Sequence, residues 1–558
     1  MPETLPQALR HAAEKFGHRG VRIYDRGGRK GTRHGFAELF ELASAAAKRW
    51  ASLGVEPRDR VVVCLPTSWE WMEGWFGAIL RGAWPVAAPA PGAMGSSEAQ
   101  IRRVAETAER IGAKRVLCSA GFRDQLVKLG LNHVLDAVVT PEEFGKTSPA
   151  TGVGFPETAP DDVAFLQLTS GSTGSPRAVM IPQRGVLHNN DAINHSIGAP
   201  HGASAETFLE SVVAWLPLYH DMGLVGCLWY GIRSGYEIDL LEPRTFLARP
   251  GMWLNKFSRN GLCMAPAPNF AYQLCVERLR DADLGDIDLS GWRAAMTGAE
   301  MVQPETTSAF CETFAPTGFR PESFRPCYGL AEGTLAVTID TRGEGVRTLP
   351  VPESAEGAGQ SDVVSTGGAI RDTEVRVAAP DGSALPDGRI GEVRVKGPGV
   401  FLGYYNDAEA TAEGLEDGWL RTGDLGFLAD GELYLTGRVK DVLIIRGTNV
   451  MPHELERLAD GVTGGGGTQR SGAFSVPRGV EGEQPVVVIE SGERDAATLA
   501  AQEQEIRSRI GRYLGLPLAD LVFVRRGRIP KTTSGKVRRR ELAELYRDGR
   551  LERLSVGG

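Results

Sequence analysis

Nothing in the 558-residue sequence is long and apolar enough to cross a bilayer, which takes about 20 consecutive apolar residues. Met1 to Phe16 mixes charged with apolar residues and lacks the continuous apolar centre of a secretion signal. The seven cysteines are scattered: Cys64, Cys118, Cys227, Cys263, Cys275, Cys311 and Cys327. No two form a Cys-x-x-Cys pair, and several lie in apolar runs, so buried small hydrophobes are the expectation. A reducing cytoplasm suits such a set. Basic charge is not in excess. Lys and Arg number 62 against 70 Asp and Glu, for a net charge of −8. That argues against a general nucleic-acid binder, though not against a local basic site for a nucleotide or an acidic partner. No internal repeat is found. Apolar and aromatic contents of 42% and 7% are ordinary for a soluble chain, and the length calls for several subdomains.

The first third alternates strand and helix signals. Arg60 to Leu65 reads as a buried strand and Trp69 to Arg81 as an amphipathic helix. Pro85 to Pro91 reads as an exit loop, Glu98 to Ile111 as a helix, and Arg115 to Cys118 as another short strand. This alternation predicts an open, mainly parallel sheet with helices on its faces. After Glu332 the texture changes. Thr341 to Ser361, rich in Gly, Pro and Glu, reads as a loop. From Thr373 to Tyr434, Thr373 to Ala378 and Gly391 to Val395 alternate polar and apolar residues as half-buried strands do. Asp381-Gly382 and Asp430-Gly431 mark turns between such segments. Lys440 to Leu551 reads as a final α/β unit with a glycine run at Gly464 to Gly467. The arginines of Lys536-Val537-Arg538-Arg539-Arg540 read as the solvated start of a helix.

One segment stands out, Leu168-Thr169-Ser170-Gly171-Ser172-Thr173-Gly174-Ser175-Pro176-Arg177. It places hydroxyls, glycines and one cation after the apolar run Val163 to Leu168. Glycines let a backbone approach a phosphate, N–H and hydroxyl groups donate to it, and the cation neutralises its charge. It is not a Walker loop, since the Lys-Ser or Lys-Thr pair is missing at the required spacing. Alone it reads equally as a Ser/Gly surface turn. Downstream, in order, come Tyr328-Gly329-Leu330-Ala331-Glu332, Arg421-Thr422-Gly423-Asp424, Gly437-Arg438-Val439-Lys440-Asp441 and Thr533-Ser534-Gly535-Lys536. Together these resemble the adenylate-forming superfamily over nearly the whole chain. Trp215 to Leu224, with its Pro-Leu-Tyr-His-Asp-Met-Gly, resembles the fatty acyl-AMP ligase branch more sharply. So do Ala267 to Tyr272, Tyr328 to Leu335 and Ser471 to Val476.

The resemblance implies an α/β fold. A large N-terminal domain, 1–439, would combine parallel-sheet subdomains with a β-rich subdomain, and a small mobile α+β lid would span 440–558. It implies an enzyme that uses ATP and Mg2+ to turn a carboxylic acid, of the fatty class, into an acyl-adenylate. The acyl group then passes to the phosphopantetheine thiol of an acyl carrier protein. No general base is needed in the first step, because a carboxylate is already ionised at neutral pH. Thr169, Ser170, Gly171, Ser172, Thr173, Gly174 and Arg177 would hold the β- and γ-phosphates. Here the chain departs from the family, which carries lysine and glycine where this sequence has Arg177-Ala178; arginine keeps the charge and adds a planar fork. Tyr328 and Gly329 would lie along adenine, with Gly298, Ala299 and Glu300 on its other side. Glu332 would be the magnesium carboxylate, Asp424 the ribose acceptor, and Arg438 a further ribose or phosphate contact. Lys536 would bridge carboxylate and α-phosphate as the catalytic lysine, with Lys531 exposed nearby and Lys440 the hinge. His220 would gate the carboxylate end, a packed core histidine being the alternative, and Asp221 reads as structural. His220 to Leu224 and the helix opened by Pro268 to Tyr272 would line the acyl pocket. Against carrier transfer stands the alternative of an acyl-CoA or aryl-CoA ligase. The branch carries an insertion between Val337 and Val364 that disfavours CoA, and here that stretch is short. In favour of the carrier, no clear basic cluster for CoA is visible at the domain junction. A silent nucleotide-binding protein is a third reading; the joint presence of Lys536, Glu332, Asp424 and Arg438 speaks against it.

Overall fold

The computed structural model describes residues 2–90, 97–169, 176–197, 209–258, 261–352, 362–445, 448–463, 470–477, 483–514, 518–531 and 536–554. The run Arg60–Cys64 is a central strand, because valines at 61, 62 and 63 bury both faces of the sheet. It pairs in parallel with Arg115–Cys118 on one side and with Trp84–Ala87 on the other, so the exit loop expected from Pro85 begins only after Ala87. The six-stranded sheet they build ends on the hairpin of Val163–Thr169 with Arg177–Pro182. Between the first two strands runs the helix Trp69–Leu80, opened by Ser68, whose hydroxyl accepts the Trp71 N–H. Gly77 lets this helix press on Phe36–Ser52; a Cβ there would meet the Ala46 Cβ at 2.6 Å.

A second, nine-stranded sheet carries the middle of the chain. Its parallel centre includes Ser211–Ala214, Cys263–Ala267, Trp292–Thr297 and Phe324–Gly329. An antiparallel five-stranded sheet follows, with Glu374–Ala378, Gly391–Lys396, Trp419–Ala429 and Glu432–Arg438 in it. The expected strands therefore form, and the architecture is the predicted α/β with a β-rich part. The expected loop Thr341 to Ser361 differs in one place. Thr348–Pro350 pairs with Asp362–Val364 as a small ribbon, because Leu349 and the two valines give it an apolar side.

From Leu443 onward the apolar residues form clusters of their own. Leu455, Ile489, Ile506 and Phe523 pack on one face of the sheet Ser471–Pro477, Glu483–Ser491, Asp520–Arg525. Phe474, Val488, Val522 and Leu542 pack on the other. The helices Pro452–Asp460, Ala496–Leu514 and Arg539–Arg547 cover it. The glycine run 464–467 lies outside the described residues. Five of the cysteines are buried and none is in a disulfide. Among the described residues, no helix is long and apolar enough to cross a membrane.

Candidate active site

The two large sheets and the C-terminal unit meet around a cavity of about 1200 Å³, with a second of about 1190 Å³ beside it. Ala299, Tyr328, Gly329, Arg438 and Lys536 line both. Strand ends deliver these residues, as open parallel sheets do. Phe324–Gly329 ends on Tyr328 and Gly329; a Cβ on Gly329 would collide with the Leu335 carbonyl, so the neighbouring turn closes only over glycine. Trp292–Thr297 ends just before Gly298, where a Cβ would meet the Cys327 carbonyl at 2.7 Å. Ala299 then takes the left-handed φ of +67°, a conformation that costs an alanine energy and marks sites where geometry is imposed. The turn sends Glu300 back to cap the helix Asn269–Leu279, where its carboxylate accepts the Phe270 N–H at 2.6 Å. Burial pushes the Glu300 carboxyl up to about 7.

Asp424 and Arg438 face each other across the hairpin of the β-rich sheet. The Arg438 Nε donates to one Asp424 oxygen at 2.7 Å, and the buried Tyr328 hydroxyl donates to the other at 2.6 Å. The Asp424 charge raises the Arg438 pKa further. Burial, reinforced by Asp424, holds the Tyr328 hydroxyl well above its usual range, so it stays a donor. Glu332 sits in the short turn Ala331–Gly333 and accepts the Tyr404 hydroxyl at 2.8 Å. Burial raises its carboxyl too. His220 and Asp221 open the next wall, Nδ1 to Oδ1 2.6 Å, with the Met222 N–H donating to Asp221 at 2.7 Å. Burial works against the Asp221 charge, but His220 and that N–H outweigh it and hold the carboxyl low.

Lys536 enters from the C-terminal unit. Burial, helped by the charge of Arg438, lowers its pKa; Asp424, Asp221 and Glu300 work the other way. One cation and three carboxylates from three distant parts of the sequence are thus within electrostatic reach of it. Thr169 and Arg177, paired at the mouth of their hairpin, line the same cavity. Ser170, Gly171, Ser172, Thr173 and Gly174 lie outside the described residues. Lys440 is exposed in the turn Val439–Asp441, directly after the strand Glu432–Arg438. Lys531 is exposed, 3.9 Å from Glu490.

Two expectations need correction, and another meets a cavity only in part. The arginines after Lys536 are not one solvated face. Arg539 donates from Nε and Nη2 to Glu456 at 2.8 and 2.7 Å, and from Nη1 to Asp441 at 2.8 Å. Only Arg540, with 74% of its side chain exposed, behaves as expected. Of the segment Pro268 to Tyr272 only Asn269 lines a cavity. Tyr272 is fully buried, its hydroxyl donating to the Met296 carbonyl at 2.9 Å. The apolar lining of the first cavity includes Ile193, Met222, Gly226, Leu335 and Ala336. Gly226 lies on a π-helical turn, Leu224–Trp229, a form often found at functional sites. Third, the junction does carry basic groups: Arg103, Arg457, Arg538 and Arg540 line the second cavity. Sequence spacing hid them, since they come from three separate segments.

Among the described residues no three His, Cys, Asp or Glu side chains are grouped to cage a metal. Glu332 presents one cavity-lining carboxylate, which fits a hard cation that completes its shell with phosphate oxygens and water.

Known proteins resemble the chain over nearly its whole length. Residues 9–405 match the family model described as AMP-binding enzyme. A putative acyl-CoA synthetase of Caulobacter vibrioides is 32% identical over 98% of this chain and 96% of its own length. The long-chain-fatty-acid–AMP ligase FadD26 of Mycobacterium tuberculosis is 32% identical over 93% of this chain and 92% of its own. A structure from a study of fatty acyl-adenylate ligases from E. coli and L. pneumophila superposes with a TM-score of 0.87, at 30% identity over 98% of each chain. That of the L. pneumophila fatty acyl-adenylate ligase in complex with acyl adenylate and pyrophosphate gives 0.71, at 27% identity, covering 100% of this chain and 98% of that one.

Proposed function

We propose the reaction from the premise that the chain belongs to the AMP-binding enzyme family, in its fatty acyl-AMP ligase branch. It is an AMP-forming ligase that activates a carboxylic acid with ATP. The carboxylate oxygen attacks the α-phosphorus, a new O–P bond forms, and the bond from the α-phosphorus to the α,β-bridging oxygen breaks, so that this oxygen leaves with pyrophosphate. No proton needs to move. The work of the protein is to neutralise converging anions and hold them in line.

The residue roles are those the motifs imply, and the positions described above support them. Arg177 and Thr169 face the triphosphate, and Glu332 holds Mg2+, which when bound would offset phosphate charge. Tyr328 and the turn Gly298–Glu300 flank adenine. Asp424, held by Tyr328 and Arg438, accepts the ribose hydroxyls. His220, fixed by Asp221, borders the carboxylate. Lys536 bridges the carboxylate and α-phosphate. The observation that carries the reading is that Lys536, which lines both adjoining cavities, lies within electrostatic reach of Asp221, Glu300, Asp424 and Arg438 around them. Residues 1–439 act as the core and 440–558 as a lid that turns about Lys440. The free cysteines suit work in the cytoplasm.

The acceptor in the second half-reaction is the thiol of an acyl carrier protein. The Pro-Leu-Tyr-His-Asp-Met-Gly segment at 217–223 supports this, and FadD26 is named an AMP ligase and not a CoA ligase. The arginine-lined junction favours a second reading, transfer to CoA, whose phosphates such groups would suit. Incubation with ATP, a fatty acid, and equal amounts of holo carrier protein and CoA separates them. Mass spectrometry should find the acyl-carrier in excess; acyl-CoA without carrier preference would establish the second reading.

A further inference from the structure

The departure at Arg177 leads to a residue that none of the sequence motifs includes. The guanidinium of Arg177 lies over the ring of Tyr404, 5.0 Å from its centroid. The hydroxyl of the same Tyr404 donates to Glu332 at 2.8 Å. One side chain therefore touches both the cation expected to meet the triphosphate and the carboxylate expected to hold its metal. We propose that Tyr404 is a positioning residue that sets Arg177 and Glu332 in a fixed relation, ready for a metal–nucleotide triphosphate. The inference rests on the adenylating reading above.

The backbone around Tyr404 is built to hold that relation. Segment 402–405 is stitched to the strand that Arg177 opens: Leu402 N–H to the Met180 carbonyl at 2.9 Å, Met180 N–H to Gly403 at 2.9 Å, and Tyr405 N–H to Ala178 at 2.8 Å. On its other side the Phe401 N–H donates to the Glu332 carbonyl at 2.8 Å. Two residues past Glu332, Thr334 is held at a φ of +69°, a costly value for a β-branched residue. Its hydroxyl donates to the Gly399 carbonyl at 2.6 Å. Gly403, at φ +125°, makes the bend that brings the ring inward; a Cβ there would meet Thr411 Cγ2 at 2.7 Å. The strap 399–405 thus binds both the Glu332 turn and the Arg177 strand.

The chemistry explains why arginine serves here. A guanidinium can lie face-on to an aromatic ring and still point its N–H edges at an anion, which a lysine ammonium does less well. Asp407, 3.7 Å from the Arg177 Nε, steadies the far side. The Tyr404 hydroxyl occupies one Glu332 oxygen and fixes the direction of the carboxylate.

Calorimetric titration of the full chain with ATP, with and without magnesium, tests this apart from turnover. Tyr404→Phe keeps the ring, so metal-free ATP affinity should stay within about twofold. It removes a hydrogen bond to a charged group, so the gain in affinity that magnesium confers should shrink by about tenfold. Tyr404→Leu should lose in addition about two- to fivefold in metal-free affinity. Arg177→Lys should lose a similar amount, and the double variant Tyr404→Leu, Arg177→Lys no more than the larger single loss, since the two act as one contact. Melting temperatures read alongside identify any variant that does not fold, and Arg177→Lys leaves Tyr404 in place as an independent arm. Losses that multiply in the double variant, or unchanged metal-free affinity in Tyr404→Leu, overturn the proposal. A wild-type chain that binds no ATP overturns the adenylating reading itself.

Discussion

Arg539→Ala removes a side chain that contacts no substrate in the proposed reaction, yet it should weaken the whole C-terminal unit. Arg539 gives two N–H groups to Glu456 and one to Asp441, all at 2.7–2.8 Å. Glu456 has only 3% of its side chain exposed and also accepts the Ala473 N–H at 2.9 Å from the sheet above it. Removing the guanidinium breaks a buried ion pair from one side, which typically costs about 3–5 kcal/mol. At about 1.4 kcal/mol per tenfold, that raises the opening equilibrium of the unit roughly 100- to 4,000-fold. Amide hydrogen exchange reads it: the strands Ser471–Pro477 and Glu483–Ser491 should exchange faster by that factor, while Arg60–Cys64 is unchanged. Arg539→Met with Glu456→Gln keeps an acceptor for Ala473 and removes the stranded charge, and should recover most of the loss. Acceleration below about fivefold in Arg539→Ala would refute the reasoning, because it would place the pair at the value of a surface ion pair.

Glu332→Gln keeps the shape of the side chain and removes its charge; the magnesium concentration for half-maximal pyrophosphate release should rise about tenfold or more, and an unchanged curve would make Glu332 structural. Lys440→Pro fixes φ at the proposed hinge, so acyl-adenylate should still form in a single turnover while thioester yield collapses; an equal fall in both would mark a folding position. Asp460, half-buried beside Ser471, has its carboxyl pushed up to about 7 from the ordinary 3.8, chiefly by desolvation. The folded state therefore keeps a proton that the unfolded chain releases, and stability falls as pH rises from about 4 through about 7. Asp460→Asn should flatten that slope and stabilise the C-terminal unit at pH 8; denaturation at pH 5 and pH 8 checks it, and a wild-type slope would clear Asp460.

Much of this was legible in the sequence because it is local. Arg60–Cys64 and Arg115–Cys118 declare themselves by short β-branched runs bounded by helix signals. Tyr328, Glu332, Asp424, Arg438 and Lys536 sit in ordered motifs, and all meet at the cavities. What stayed hidden depends on partners far along the chain. Arg539 looks like any arginine at a helix start until Glu456, 83 residues earlier, is placed against it. Tyr404 lies 72 residues from Glu332, in a stretch whose spacing suggests only a turn. Whether the helix Asn269–Leu279 or the π-helical turn Leu224–Trp229 turns residues to the cavities is decided by packing, and Gly226 of the turn and Asn269 of the helix are the ones that line them.

The central claim is that this chain makes an acyl-adenylate with Lys536 as its catalytic lysine. The most direct test is mass-spectrometric detection of acyl-AMP after mixing the enzyme with ATP, magnesium and a panel of fatty acids, for wild type and Lys536→Ala, with ATP binding measured in parallel. The account predicts acyl-AMP and equimolar pyrophosphate from the wild type. It predicts a roughly hundred- to thousandfold slower rate in the variant, the usual worth of one preorganised charge donor, with ATP affinity largely kept. Acyl-AMP formed at the wild-type rate by Lys536→Ala, or none formed by the wild type from any acid, would contradict it.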